Sequence, residues 1–283
     1  MSEPIKNRYD FVFFFDVKDG NPNGDPDQIN LPRTDAEDQH GLVTDVCIKR
    51  KVRNYVMLRH ENKAPHDIFI RQKQILAKII DETNGDDIEK RQDSLCKRYY
   101  DIRTFGAVLS VGEKGAGTVR GPVQFTFARS EDRIYQAEHS ITRCAVTTEE
   151  EAKKQEKREF ASTFGRKSTV PYALYRMHGY ISAADAEKTK FSEDDLKLLW
   201  QALINAFEND RAAARGEMNP RKLVIFKHSN HLGNELAGRL FERVTVKKNS
   251  ELPRGISDYS ILVNKEKLPS GITIQQWPEE NVF

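Results

Sequence analysis

The 283 residues are 38% hydrophobic and 31% charged, enough apolar material for one large domain or two small ones inside a richly charged surface. A formal net charge of only +2 excludes a polycationic chain, so any affinity for phosphates must come from basic residues gathered on one face. Cys47, Cys96 and Cys144 are widely spaced and form no Cys-x-x-Cys pair, and neither a basic-then-apolar leader nor an apolar run of about 20 residues occurs; a disulfide framework, export and membrane insertion are not indicated, and a reducing cytoplasm fits.

The first element is read from RYDFVFFFDV, residues 8–17, a dense aromatic and β-branched run that predicts a buried strand. From Asp19 to about Gly41 the composition turns to Asn, Pro, Gly, Asp and Gln, which predicts a long loop. Thr44 is placed to cap a helix reaching about Arg59, with Ile48, Val52, Tyr55 and Val56 as its apolar stripe and Lys49, Arg50 and Arg53 within one arc on another side. Residues 66–110 read as an insertion with a short strand near Ile68–Ile70, a helix near Gln74–Asp81 and a second helix ending before Arg103. TVRGPVQFTFAR, from Thr118 to Arg129, predicts a half-buried strand with Val123, Phe125 and Phe127 on one face, and Thr169 to Ser182 predicts another. Between them the charged run EEEAKKQEKREF, Glu149 to Phe160, is too polar for a core and is expected to project. Ser192 opens an amphipathic helix with Glu193, Asp194 and Asp195 in its first turn and Leu196, Leu199, Trp200, Leu203 and Phe207 along one stripe. A strand at Arg221–His228 follows, and two more are expected at Leu240–Val246 and Tyr259–Val263. The core order strand, helix, strand, strand, helix, strand is that of an α+β, RRM-like or ferredoxin-like fold.

Several groups invite a chemical reading. The loop DGNPNGDP hangs from the end of a core strand; Gly20 and Gly24 permit close backbone approach, and Asn21 and Asn23 offer amide donors to a phosphate or base edge. The same residues also suit an ordinary structural turn. Lys49, Arg50 and Arg53 can neutralise backbone phosphates or form the solvated side of an amphipathic helix. Arg103 beside Phe105, and Arg120 ahead of Phe125 and Phe127, pair cation with aromatic in a way that suits both nucleic acid and a core. His228 and His231 lack a third metal ligand at a diagnostic spacing, and Asp16, Asp19, Asp25 and Asp27 do not match a calcium loop. His139 is a candidate general base for RNA cleavage, and no phosphate-binding GxxxxGK[ST] loop or GxSxG elbow occurs.

Taken in order, NPNGDP, TDVCIKRKVRNYV, DIRTFGAV, RGPVQFTFARS, SITR and VPYALYRMHGYI resemble the type I-C CRISPR Cascade backbone subunit, of the Cas-seven (Cas7) family of RAMP proteins. By motif the resemblance runs from Asp10 to about Ile181. It implies a single RRM-like palm over 1–283, a finger-like insertion at about 60–117 and a β-hairpin thumb at about 130–168. It also implies a protein without catalytic activity or cofactor that polymerises along a guide RNA (crRNA) and supports R-loop formation on foreign double-stranded DNA. Its implied partners are the crRNA, the target DNA strand through the guide, further copies of itself, a RAMP repeat-processing subunit, a large Cascade subunit and a recruited helicase-nuclease. Carried over by position, Asn21, Pro22, Asn23, Gly24, Lys49, Arg50 and Arg53 should meet the guide backbone, with Arg103, Arg120 and Gln124 as further contacts and Phe160 and Phe164 as thumb candidates. The alternative within the same superfamily is a metal-independent endoribonuclease that processes repeat RNA.

Overall fold

Strand β1 (Tyr9–Gly20) is buried along nearly its whole length, as its unbroken aromatic and β-branched content requires. Its odd-numbered Phe11, Phe13, Phe15 and Val17 enter one core and its even-numbered Val12 and Phe14 another, so β1 lies at the centre of the sheet and is itself covered on both faces. The computed structural model describes residues 3–142, 145–146, 148–156 and 164–283.

After β1 the short pair β2 (Gly24–Asp25) and β3 (Leu31–Pro32) leads to β4 (His40–Val43) and helix α1 (Asp45–His60). Helices α2 (Leu76–Asp81), α3 (Ile88–Arg98) and α4 (Tyr100–Phe105) and the ribbon of β5 (Gly106–Val108) with β6 (Thr118–Arg120) then enclose an apolar cluster of their own around Phe69, Leu95, Tyr99 and Leu109. The chain continues through β7 (Val123–Phe125), β8 (Ala128–Arg133), β9 (Ala137–Thr142), α5 (Glu149–Glu156) and the long β10 (Phe164–Ile181). Helices α6 (Ala183–Thr189) and α7 (Glu193–Ile204), strand β11 (Glu217–His228), helix α8 (Ala237–Phe241) and strands β12 (Val244–Lys248), β13 (Tyr259–Val263) and β14 (Ile272–Trp277) complete it.

The main sheet runs β14-β11-β1-β10-β8-β4, with each of these neighbours antiparallel. One edge of β10 is taken in succession by β9 along Phe164–Thr169, β8 at Tyr175 and Arg176, and β7 along Gly179–Ile181. Helices α1 and α7 lay Ile48, Val52, Val56, Leu199, Trp200 and Leu203 on one face. Each such buried side chain contributes about 1.5–3 kcal/mol. The C-terminal segment covers the other face with Leu240, Phe241, Val244 and Tyr259.

The helix starts follow the sequence signals. Thr44 accepts from Cys47 N at the head of α1, and Ser192 with Asp195 forms a reciprocal capping box on α7. Three expectations are corrected. TVRGPVQFTFAR is not one strand but β6, β7 and the start of β8, and the break at Thr126 and Phe127 turns Phe127 outward, 51% exposed, while Val123 and Phe125 stay inside. Ile68–Ile70 forms no strand, because its backbone is held by the Asp101 carboxylate, which accepts from Phe69 N and Ile70 N. Leu240–Val246 divides between α8 and β12. Pro220 is tolerated inside β11 because the pairing with β1 shifts register there, between Phe14 and Phe15.

Candidate nucleic-acid interface

The loop after β1 is clamped to the head of α1. Asn23 Oδ1 accepts from both the backbone N and the Oγ1 of Thr44, each at 3.0 Å, while Thr44 itself caps Cys47 N at 3.2 Å. Asn21 Nδ2 donates to Asn30 O at 2.7 Å, and Asn21 N donates to Ala214 O at 2.6 Å. Its Oδ1 is buried without a partner among the described residues. Gly24 lets the Asn30 side chain approach: a Cβ there would lie 1.9 Å from Asn30 Oδ1, displacing it, and 3.2 Å from Asn30 O. NPNG is therefore both turn and platform, a rigid backbone edge fixed to a helix N-terminus. Arg33, whose Nη1 meets Asp25 at 3.4 Å and whose Nε has no partner among the described residues, joins this edge. It stood in the long loop with no periodicity to single it out.

The basic arc of α1 is divided by tertiary contacts. Arg53 is turned inward, its Nε donating to Asp101 Oδ2 at 2.8 Å, and is buried. Lys49 is half-covered, paired with Asp45 at 2.8 Å and set 5.7 Å from the Phe105 ring centroid. Arg50 donates Nη1 to Ile70 O at 2.8 Å and forms no ion pair among the described residues. Burial, then the neighbouring Arg53, lowers the pKa of its guanidinium, as expected of a cation short of compensating charge. Arg50, with Lys49 beside it, is thus the available cation of the arc.

Arg103 is placed elsewhere. It is 1% exposed, donating Nε and Nη2 to the two Asp195 oxygens at 2.9 and 2.7 Å and Nη1 to Cys96 O at 2.7 Å. The expectation of a ligand contact gives way to a bolt between α4 and the capping box of α7, because every guanidinium nitrogen already has an acceptor. Arg120 has an 80% exposed side chain with Asp185 at 3.4 Å. Gln124 Nε2 donates to Gly121 O at 3.0 Å, within the same RGPVQ turn. Gly121 permits backbone contact there, since a Cβ would fall 2.2 Å from Gly106 N. Phe160 lies outside the described residues, as does the side chain of Phe164 at the start of β10.

Of the histidines and acids considered for chemistry, His228, Asp16 and His139 have structural partners. His228 is buried between Asp10 Oδ2, at 2.8 Å from its Nε2, and Asn234 N, which donates to its Nδ1 at 2.7 Å. Asp16 accepts from Tyr172, Asn219 and Arg221. His139 meets Thr169 Oγ1 at 3.0 Å on the exposed β9. Among the described residues no three His, Cys, Asp or Glu side chains gather as a metal cluster, and no helix is long and apolar enough to cross a membrane.

Fold and site together define a mixed α/β protein with a large antiparallel sheet and a polar loop locked to a basic helix. Residues 7–264 match the family model of CRISPR-associated protein Cas7. The chain belongs to the Cas7 family. It is 24% identical over 291 residues to a CRISPR-associated protein Cas7 of Haloferax volcanii, covering 92% of this chain and 81% of that one. Its fold is similar to a chain of a solved "CRISPR RNA-guided surveillance complex, pre-nicking", with a TM-score of 0.52 and 14% identity over 77% of this chain and 78% of that chain.

Proposed function

We propose that this chain is a non-catalytic, crRNA-binding backbone subunit of a type I-C Cascade surveillance complex, acting in the cytoplasm and polymerising along the guide so that base pairing can read foreign DNA. The observation that carries the reading is the NPNGDP edge fixed to the head of α1 beside Lys49 and Arg50, in a chain of the Cas7 family. Rigid backbone and amide donors next to an under-compensated cation suit the phosphate-sugar backbone, whose contacts position a strand without reading it. The four core strands β11, β1, β10 and β7, adjacent in that order and antiparallel, support an RRM-like palm. The separate apolar cluster within 60–117 supports a finger lobe, and the exposed β9 paired with the start of β10 supports a thumb at about 130–168. The repeat-processing subunit, large subunit and helicase-nuclease belong to the same reading as its partners.

The test is assembly on RNA by Lys49→Glu with Arg50→Glu, which leaves the buried Arg53–Asp101 pair intact. Filaments on a guide-length RNA should be lost in electron micrographs while the isolated subunit keeps its circular dichroism. Each lost phosphate contact should flatten the plot of log affinity against log salt by about 0.7. Unchanged assembly and slope would remove the assignment. Cleavage of repeat RNA by the purified chain, abolished by His139→Ala, would overturn the non-catalytic reading.

A further inference from the structure

The sheet face opposite α1 and α7 is only partly covered. The C-terminal segment seals β1 and β11, but a cleft of about 1010 Å³ stays open between β8 and β10 on one side and α8 and β12 on the other. A second cleft of about 610 Å³ adjoins it, and the two share His40 and Glu131.

The larger cleft exposes flat aromatic surface. Phe127 is 51% exposed and Tyr180 37%. His178 lies on Phe241 with ring centroids 4.1 Å apart and planes 10° from parallel, and Tyr180 meets Phe241 nearly edge-on at 5.6 Å. These rings stand on β10, on α8 and at the β7–β8 break, so the sheet and the C-terminal segment build the surface together.

Two polar atoms in the cleft lack partners among the described residues, and one of them, on Glu131, is also shielded from solvent. Burial, reinforced by Arg176, pushes the His178 pKa down to about 4, so the ring is neutral near pH 7. Its Nε2 faces Arg176 Nε at 3.0 Å and acts as acceptor, which assigns the ring proton to Nδ1, and Nδ1 meets no acceptor among the described residues. Glu131 Oε1 is shielded from solvent and unbonded among the described residues, and burial raises the pKa of this carboxyl. A shielded polar atom without a partner is uncommon and points to a ligand edge.

Of the two arginines lining the cleft, only Arg176 forms no ion pair among the described residues. Arg129 is held by Asp35 and Asp38 at 2.6 and 2.9 Å, and Arg176 gives Nη2 to Phe241 O at 2.8 Å. Flat apolar faces bordered by open hydrogen-bonding groups match a nucleobase, which stacks through its ring and bonds through its rim. We propose that this cleft binds unstacked bases of a single-stranded nucleic acid, on the face of the sheet opposite α1. The ligand class rests on the guide-binding reading, but the mode differs: stacking with little phosphate attraction.

The experiment uses the full chain with single-stranded octamers carrying one 2-aminopurine, in ribose and deoxyribose forms, followed by fluorescence quenching and anisotropy across a salt series. Phe127→Ala and Tyr180→Ala, both at exposed rings, should each weaken binding about tenfold and relieve quenching, without changing the salt slope. Lys49→Glu with Arg50→Glu should do the reverse, flattening the slope while quenching persists, so failure at α1 is distinguishable from failure at the cleft. A loss confined to the ribose octamer assigns the bases to RNA, one confined to the deoxyribose octamer assigns them to DNA, and equal losses assign the cleft to bases of either. Unaltered affinity and quenching in a folded Phe127→Ala, Tyr180→Ala double variant would overturn the proposal. So would altered self-association in sedimentation with nucleic-acid binding intact, which would make the cleft an interface between copies.

Discussion

Replacing Arg103 by alanine separates a structural bolt from a ligand contact. The guanidinium lies 1% exposed and gives two hydrogen bonds to Asp195, one to Cys96 O and a longer pair to Pro65 O at 3.2 Å. Its removal leaves Asp195, 3% exposed, with Ser192 N and Oγ at 3.0 and 3.1 Å and, farther off, His66 Nε2 at 3.9 Å, and strips two carbonyl groups of their donor. Breaking one side of a buried pair costs about 3–5 kcal/mol, most of it from the charge left behind. For a chain of this size that lowers the melting temperature by roughly 6–10 °C, at about 2 °C per kcal/mol. Urea unfolding followed by tryptophan fluorescence measures it, with Arg120→Ala as the surface control, expected within about 0.5 kcal/mol because its side chain is 80% exposed. A loss below about 1 kcal/mol for Arg103→Ala, accompanied by weakened RNA binding, would refute the bolt and return Arg103 to the ligand surface.

Stability should also depend on pH through His178. Its pKa is depressed in the folded chain from the ordinary 6.5 to about 4, so the unfolded chain binds more protons between those values. Its contribution should be complete above about pH 6.5 and lost as the pH falls toward 4, and His178→Phe should flatten that limb of a urea-midpoint profile. Gly121→Ala should destabilise by about 1–3 kcal/mol in the same unfolding assay because its Cβ would meet backbone at 2.2 Å, whereas Gly238→Ala, with nothing within 4 Å, should be neutral or stabilising by up to about 1 kcal/mol. Asn23→Ala removes both acceptor contacts to Thr44 and should cost about 1–2 kcal/mol, with faster amide exchange in the first turn of α1 and weaker RNA binding.

The elements legible in the sequence were those whose signals are local. Thr44 and Ser192 mark helix starts because capping involves residues only three apart, and RYDFVFFFDV reads as a strand because no amphipathic surface can hide so many aromatics. The loop NPNGDP was legible as a loop, and its Gly and Asn content as permission for close approach. What it approaches was not legible, because Asn21 and Asn23 find their partners at Asn30, Thr44 and Ala214. The cleft on the second face had a faint trace, Arg176, His178 and Tyr180 alternating along the otherwise apolar second half of β10.

By itself, then, the sequence determined the order of the core strands and helices, the start of α1 and α7, and an ordered set of motifs specific enough to resemble one family. Tertiary structure decided which cations remain available. Lys49, Arg50 and Arg53 share one arc of a helix in sequence, yet Asp101, 48 residues beyond Arg53, draws that one inward and leaves Arg50 without an ion pair among the described residues. Spacing along a chain sets which side of a helix a residue occupies, but only the packing of distant segments determines whether that side meets a carboxylate, a carbonyl or open water.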